Sequence, residues 1–249
     1  MLRRTLTGFV VATLMAATAP SAMAGTVHAA VAANFTAVAE ELGAAFTEAT
    51  GHEVVFSFGA TGGLYSQITQ AAPFEVFLSA DDQRTGTAIA EGFGVEGTEF
   101  TYAVGKVVLY SPEIDVTDGV AVLAAGDFQH IAVADPATAP YGAAAVAAIE
   151  ALGLTEALQP KVVTGENITQ TLQFVDSGSA ELGFVALSQV IGKPATQIWI
   201  VPQEDYPAIR QNAVLLKTGE ANEAATAFLD YLRSPPAVEV IEAAGYTLD

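Results

Sequence analysis

The chain has no cysteine. That excludes disulfides, thiolate metal sites, thiol nucleophiles and a lipidated N-terminal cysteine. Basic residues are scarce: nine Lys and Arg stand against 28 Asp and Glu, a formal charge of −19 over 249 residues. So acidic a chain does not suit a nucleic acid or an anionic membrane surface. No apolar run is long enough to cross a bilayer; the candidate, Phe9 to Ala17, is too short. The sequence holds no G-x-S-x-G, no P-loop and no H-E-x-x-H, so nothing in it points to an enzyme. The three histidines, His28, His52 and His130, are scattered, and His28 and His130 fall inside strand patterns where a structural role is expected. Asp81-Asp82 reads as a helix-start cap rather than a carboxylate pair.

What is present begins with an export signal. Arg3-Arg4 precede the apolar run, and Ala22-Met23-Ala24 fits the small-residue cleavage rule, so residues 1–24 read as a cleaved signal peptide. Export without disulfides suits a bacterial periplasm. Removing Arg3 and Arg4 from the nine basic residues leaves seven against 28 acidic ones, a formal charge of −21. That acidity reads as solubility. The remaining length, about 225 residues, makes one large domain or two small lobes.

The stretch Thr26 to Phe46 sets the pattern. A β-friendly run, Val27 to Ala32, meets a turn at Ala33-Asn34. Phe35, Val38, Ala39, Leu42, Ala45 and Phe46 then recur at helical spacing. Asn34 stands where a helix N-cap is expected. The same strand, turn and helix return at His52–Phe58 with Gly59-Ala60-Thr61-Gly62-Gly63. They return again at His130–Ala134 with Pro140-Tyr141-Gly142, and at Lys161–Thr164 with Asn167-Ile168. Phe74–Leu78, Leu182–Leu187, Ile198–Val201 and Ala213–Lys217 read as further strands, and Tyr102–Tyr110 as one longer strand. This alternation predicts an α/β fold with mainly parallel sheets. The long strands near Ala103 and Ala213 are candidate crossings between lobes. They predict a discontinuous lobe I, 25–103 with 213–249, and an inserted lobe II, 104–212.

Ligands of open α/β sheets sit beyond the carboxyl ends of the strands, where such turns cluster. A helix start carries unpaired N–H groups and the positive end of the helix dipole, so four starts meeting in one cleft suit a small anion. Asn34 offers a side-chain amide, Thr61 a hydroxyl, Tyr141 a phenol and Ile168 its backbone N–H. None of the four segments contains Lys or Arg. The expected mechanism is neutral hydrogen bonds and helix dipoles around a desolvated oxyanion, with no cofactor and no direct protein–metal ligand. The sequons at Asn34 and Asn167 read as chance in a bacterial export.

Several segments together resemble the periplasmic molybdate-binding proteins of ABC importers: A-A-N-F at 32–35, S-F-G-A-T-G-G-L-Y-S-Q-I at 57–68, A-P-F-E-V-F-L-S-A-D at 72–81, A-V-A-D-P-A-T-A-P-Y-G at 132–142, G-E-N-I at 165–168, E-L-G-F-V-A-L-S at 181–188, and A-F-L-D-Y-L-R-S-P-P-A and A-G-Y near the end. The resemblance implies a two-lobed type II periplasmic binding protein, monomeric, with molybdate or tungstate in the interlobe cleft and a separate membrane permease as partner. Carried over by position, its oxyanion ligands are Ala33, Asn34, Thr61, Tyr141 and Ile168. The commonest pattern of the family has serines in place of Asn34 and Thr61, alanine in place of Tyr141 and a ligand tyrosine in place of Ala186. The phenol lost at Ala186 is offset by the one gained at Tyr141. The competing readings are the same fold holding sulfate and an exported α/β enzyme.

Overall fold

The computed structural model describes residues 24–248, so the expected signal peptide falls outside the described residues except for Ala24. In chain order, β1 (Thr26–Ala32) passes through a 3-10 turn, Ala33–Phe35, into α1 (Thr36–Thr50). Next come β2 (Glu53–Gly59), α2 (Thr61–Thr69), β3 (Val76–Leu78), α3 (Gln83–Ala90) and β4 (Phe100–Gly105). A second set follows: β5 (Val107–Tyr110), α4 (Gly119–Ala125), β6 (Ile131–Ala134), α5 (Pro140–Ala151), α6 (Thr155–Leu158), β7 (Val162–Gly165), α7 (Ile168–Asp176), β8 (Leu182–Ala186), α8 (Leu187–Val190) and β9 (Ile198–Ile200). The chain closes with β10 (Ile209–Leu215), α9 (Glu223–Leu232) and α10 (Pro235–Ala243).

The strands form two five-stranded sheets, ordered β2-β1-β3-β10-β4 and β7-β6-β8-β5-β9. Each sheet is mixed in the same way. β1 runs parallel to β2 and β3, and β6 parallel to β7 and β8; β10 is antiparallel to β3 and β4, and β5 antiparallel to β8 and β9. The antiparallel members are the strands next to the crossings from one sheet to the other. The single strand expected over 102–110 is in fact two. β4 belongs to the first sheet and β5 to the second, with Lys106 between them. β10 begins at Ile209, four residues before the run read from the sequence, and carries a bulge between Gln211 and Asn212.

The apolar stripe on α1 buries Val38, Ala39, Leu42 and Phe46. A Cβ at Gly43 would stand 2.6 Å from the Phe56 ring, so glycine lets α1 lie directly on β2. Phe35, fully buried, meets Tyr102 and Tyr246 edge-on with ring centroids 4.8 and 5.4 Å away. Burying such a ring is worth roughly 1.5–3 kcal/mol, and here it anchors the first turn of the site from below. The core of the second sheet takes in Ala32, Ala33 and Ala80 from the turns of the first. Alanine at these places lets the two halves approach closely.

Candidate functional site

The four turns singled out in the sequence come together. Ala33, Asn34, Thr61, Tyr141 and Ile168 line one pocket, along with Ala32, Gly59, Ala60, Ala80, Ala139 and Pro140. Each turn is a helix start: Ala33 opens the 3-10 turn before α1, Thr61 opens α2, Tyr141 follows Pro140 at the head of α5, and Ile168 opens α7. At three of these starts the N-cap is an alanine, Ala32, Ala60 or Ala139, and no side chain caps the helix. Alanine is among the poorest caps because it has no oxygen to accept from the first-turn N–H groups. First-turn N–H groups with no partner in the chain are therefore available to a guest, although that of Gly62 in α2 is already taken by the Thr138 carbonyl oxygen. At the fourth start Asn167 accepts from Thr169 and Gln170, each at 3.0 Å, so the free first-turn donor is the Ile168 N–H.

The pocket holds no charged side chain, and its free volume is about 10 Å³. That is about the space one water-sized guest occupies by the same measure. Clefts for organic ligands run to roughly 300–1,000 Å³, so this space is far too small for an organic guest. A neighbouring groove of about 290 Å³ shares Ala80 and Pro140 with it and is lined by Arg84, Arg210, Asp81 and Asp82. This groove is the larger space; it takes in the start of α3 and Pro140 at the head of α5, and its arginines lie among carboxylates.

Thr61 is 1 % exposed, and its Oγ1 accepts the Ala80 N–H at 3.0 Å. That bond fills one lone pair and leaves the hydroxyl hydrogen for the pocket. Gly142 permits the tight entry to α5, since a Cβ there would stand 2.1 Å from the Ala134 carbonyl oxygen. The Tyr141 hydroxyl accepts from Gln211 Nε2 at 3.4 Å, and burial pushes its pKa well above the ordinary tyrosine value. It stays a neutral phenol.

Asn34 departs from expectation in two ways. It sits inside the 3-10 turn, so it is not an N-cap; Ala32 and Phe35 hold the cap positions of the turn and of α1. Its side-chain amide does not face a guest either. Nδ2 donates to Gln211 Oε1 at 2.7 Å and to the Tyr246 hydroxyl at 2.9 Å, which accounts for both hydrogens. What Asn34 adds to the pocket wall is therefore backbone. The physical reason is that β10 and the C-terminal Tyr246 converge behind the turn and supply acceptors there.

Sequence reasoning missed Gln211, which is fully buried. Its Oε1 accepts from Asn34 and from the Tyr102 hydroxyl at 3.2 Å, while its Nε2 donates to Tyr141. One carboxamide thus braces a turn from each sheet. No local signal marked it, because it stands in the polar run Arg210-Gln211-Asn212 at the start of β10. Tyr246 completes the network with Asn34 and Ser188, and burial raises its pKa to about 12, against the lowering effect of its hydrogen bonds. Ala186 is buried in the same core cluster as Tyr141, and its N–H donates to Gln189 Oε1 at 3.0 Å. Asp81 rather than Asp82 caps α3, by accepting the Arg84 N–H at 2.9 Å. Among the described residues no group of three or more His, Asp or Glu could hold a metal ion, and no single helix is long and apolar enough to cross a membrane.

A family model described as bacterial extracellular solute-binding protein matches residues 27–247. The molybdate-binding protein ModA of Rhodobacter capsulatus is 53 % identical over 228 residues, which cover 92 % of this chain and 90 % of that one. ModA of Azotobacter vinelandii is 53 % identical over 232 residues, 92 % of each chain. Among solved structures, an Azotobacter vinelandii periplasmic molybdate-binding protein superposes with a TM-score of 0.86 at 38 % identity, covering 90 % of this chain and 99 % of that one.

Proposed function

The chain belongs to the bacterial extracellular solute-binding family, and from that premise we propose that it captures molybdate through the four helix starts of the small pocket and hands it to an ABC permease. It is a molybdate-binding component of such an importer, as its 53 % identical relatives are named. Four helix starts, three without a side-chain cap, meeting around a charge-free space of about 10 Å³ is the observation that carries the site assignment.

The donors are the backbone N–H groups at Ala33, Asn34, Thr61, Tyr141 and Ile168 and the Thr61 hydroxyl. Each hydrogen bond to a charged oxygen is worth about 1.5–3 kcal/mol. Helix dipoles add to this at each start. The general negative field of the protein is screened within about 8 Å at physiological salt, so donors in contact with the anion decide the balance. Tungstate has the same shape and charge as molybdate and binds in the same place. The protein works in the periplasm as a cofactor-free, unanchored monomer and catalyses nothing.

The two lobes, expected as 25–103 with 213–249 and 104–212, take bounds that follow the sheets, since β4 runs to Gly105 and β10 starts at Ile209; the crossings then fall near Lys106 and Tyr206. They close on the anion, and the closed form is what the permease recognises. Calorimetric titration with molybdate, tungstate, sulfate and phosphate tests the ligand. Heat with the first two and little with the others is expected; heat with sulfate alone would overturn the assignment.

A further inference from the structure

The S-A-D segment at Ser79–Asp81 contributes only Ala80 to the pocket wall, yet its surroundings do more. The Ala80 N–H orients the Thr61 hydroxyl. Asp81 Oδ1 accepts from Ser79 Oγ at 3.0 Å and from the Arg84 N–H at 2.9 Å, and the Ser79 Oγ accepts the Asp81 N–H at 3.1 Å. The turn is thus braced from within. Its other carboxylate oxygen pairs with Arg84 Nη1. That leaves the second arm of the guanidinium, Nη2, to reach the Ala137 carbonyl oxygen at 3.0 Å. Ala137 lies in the loop leading into α5, on the side of the second sheet. One residue further on, the Thr138 carbonyl oxygen accepts the Gly62 N–H at 2.8 Å. Two adjacent carbonyls before α5 are therefore gripped by donors from the half of the molecule that carries β3, α2 and α3.

We propose that Arg84 is a positioning residue, a clasp across the cleft that holds the two halves shut over the bound anion and sets how slowly it leaves. The inference rests on the functional reading above and deepens it, because Arg84 lies outside the pocket wall. The arginine fork suits such a clasp, since one arm is fixed by Asp81 and the other is already aimed when the cleft closes. Lysine, a single point donor on a flexible stem, cannot hold Asp81 and reach Ala137 in the same way. The clasp is also coupled to the site. The turn that holds Arg84 positions the Thr61 hydroxyl, and the carbonyls it grips precede the Tyr141 helix start.

Because the clasp forms after the anion has entered, it acts on release and not on capture. Wild type, Arg84→Ala, Arg84→Lys and Gly62→Ala are loaded with radiolabelled molybdate and chased with unlabelled molybdate, and association is measured separately by rapid mixing. Arg84→Ala is expected to release the tracer about 5- to 10-fold faster, the equivalent of one lost hydrogen bond, with an association rate within about twofold of wild type. Arg84→Lys is expected to fall between the two. Gly62→Ala is expected to speed release as well, since its Cβ would stand 3.0 Å from Arg84 Nη2, 3.1 Å from Thr138 Cα and 3.2 Å from the Thr138 carbonyl oxygen, and so would crowd the clasp itself. The melting temperature of the ligand-free Arg84→Ala protein is expected to match wild type, which separates a clasp from a general structural role. Release from Arg84→Ala at the wild-type rate would overturn the clasp, and so would slower association with unchanged release, which marks electrostatic steering instead. Wild type that retains no tracer would overturn the functional reading and the clasp with it.

Discussion

Thr61→Val is the sharpest perturbation of the site, because it exchanges a hydroxyl for a methyl of nearly equal size. Thr61 Oγ1 accepts the Ala80 N–H at 3.0 Å, and in the proposed site its own hydrogen serves the anion. Losing the donor to a charged oxygen costs about 1.5–3 kcal/mol of binding, which is roughly 10- to 150-fold in affinity. Losing the acceptor leaves the Ala80 N–H unpaired in a residue only 2 % exposed. That costs folding stability about 1–3 kcal/mol, or about 2–10 °C of melting temperature for a protein of this size. The two losses are separable. Calorimetric titration with molybdate reads the first, and scanning calorimetry of the ligand-free protein reads the second. Thr61→Ser keeps both bonds and is expected to stay near wild type in both measurements. Thr61→Val with wild-type affinity would refute the assignment of the hydroxyl to the anion, even if its melting temperature fell.

Gly105→Ala places a Cβ 1.9 Å from the Tyr141 hydroxyl oxygen; the phenol must move, and a loss of about 1–3 kcal/mol of folding stability is expected, read as a lower melting temperature, with an unchanged one contradicting the close packing there. Gln211→Leu strands the Asn34 amide and removes partners from Tyr102 and Tyr141; a fall of at least about 2 kcal/mol in unfolding free energy is expected, measured by denaturant titration, and a fall under about 0.5 kcal/mol would show that the network is not needed. Tyr246 is held protonated up to about pH 12 by burial. Since its pKa is raised on folding, its contribution to stability is complete below about pH 10, the unfolded tyrosine value, and is lost as the pH climbs toward 12. Unfolding midpoints measured across that range are expected to drop, and a flat profile would contradict the burial of the group.

Much of this architecture was legible because strand, turn and helix differ in period. β1, β2, β7 and the helices after them announce themselves by apolar spacing and by small residues between. The antiparallel half of each sheet was harder to read. The length of the run near Ala103 marked it as a candidate crossing between lobes, but Lys106 stands inside an apolar stretch, and nothing local says that β4 ends and β5 begins there. The start of β10 was missed because Arg210, Gln211 and Asn212 are polar, and a buried polar strand residue makes sense only once its partners are known. Asn34 misled for a related reason. Its residue type favours a cap, but a 3-10 turn begins the helix at Ala33, and partners 177 and 212 residues away claim the amide. The alanine caps at Ala32, Ala60 and Ala139 carried the better signal, since a helix start with no cap of its own invites a guest.

The most direct test is a crystal structure of the molybdate-loaded protein, with the metal located by its anomalous scattering. A peak enclosed by the N–H groups at Ala33, Thr61, Tyr141 and Ile168, with the Thr61 hydroxyl in hydrogen-bond range and no cationic side chain touching the oxygens, is the result expected. A peak in the adjoining groove against Arg84 and Arg210 would contradict the claim that neutral donors at helix starts hold the anion.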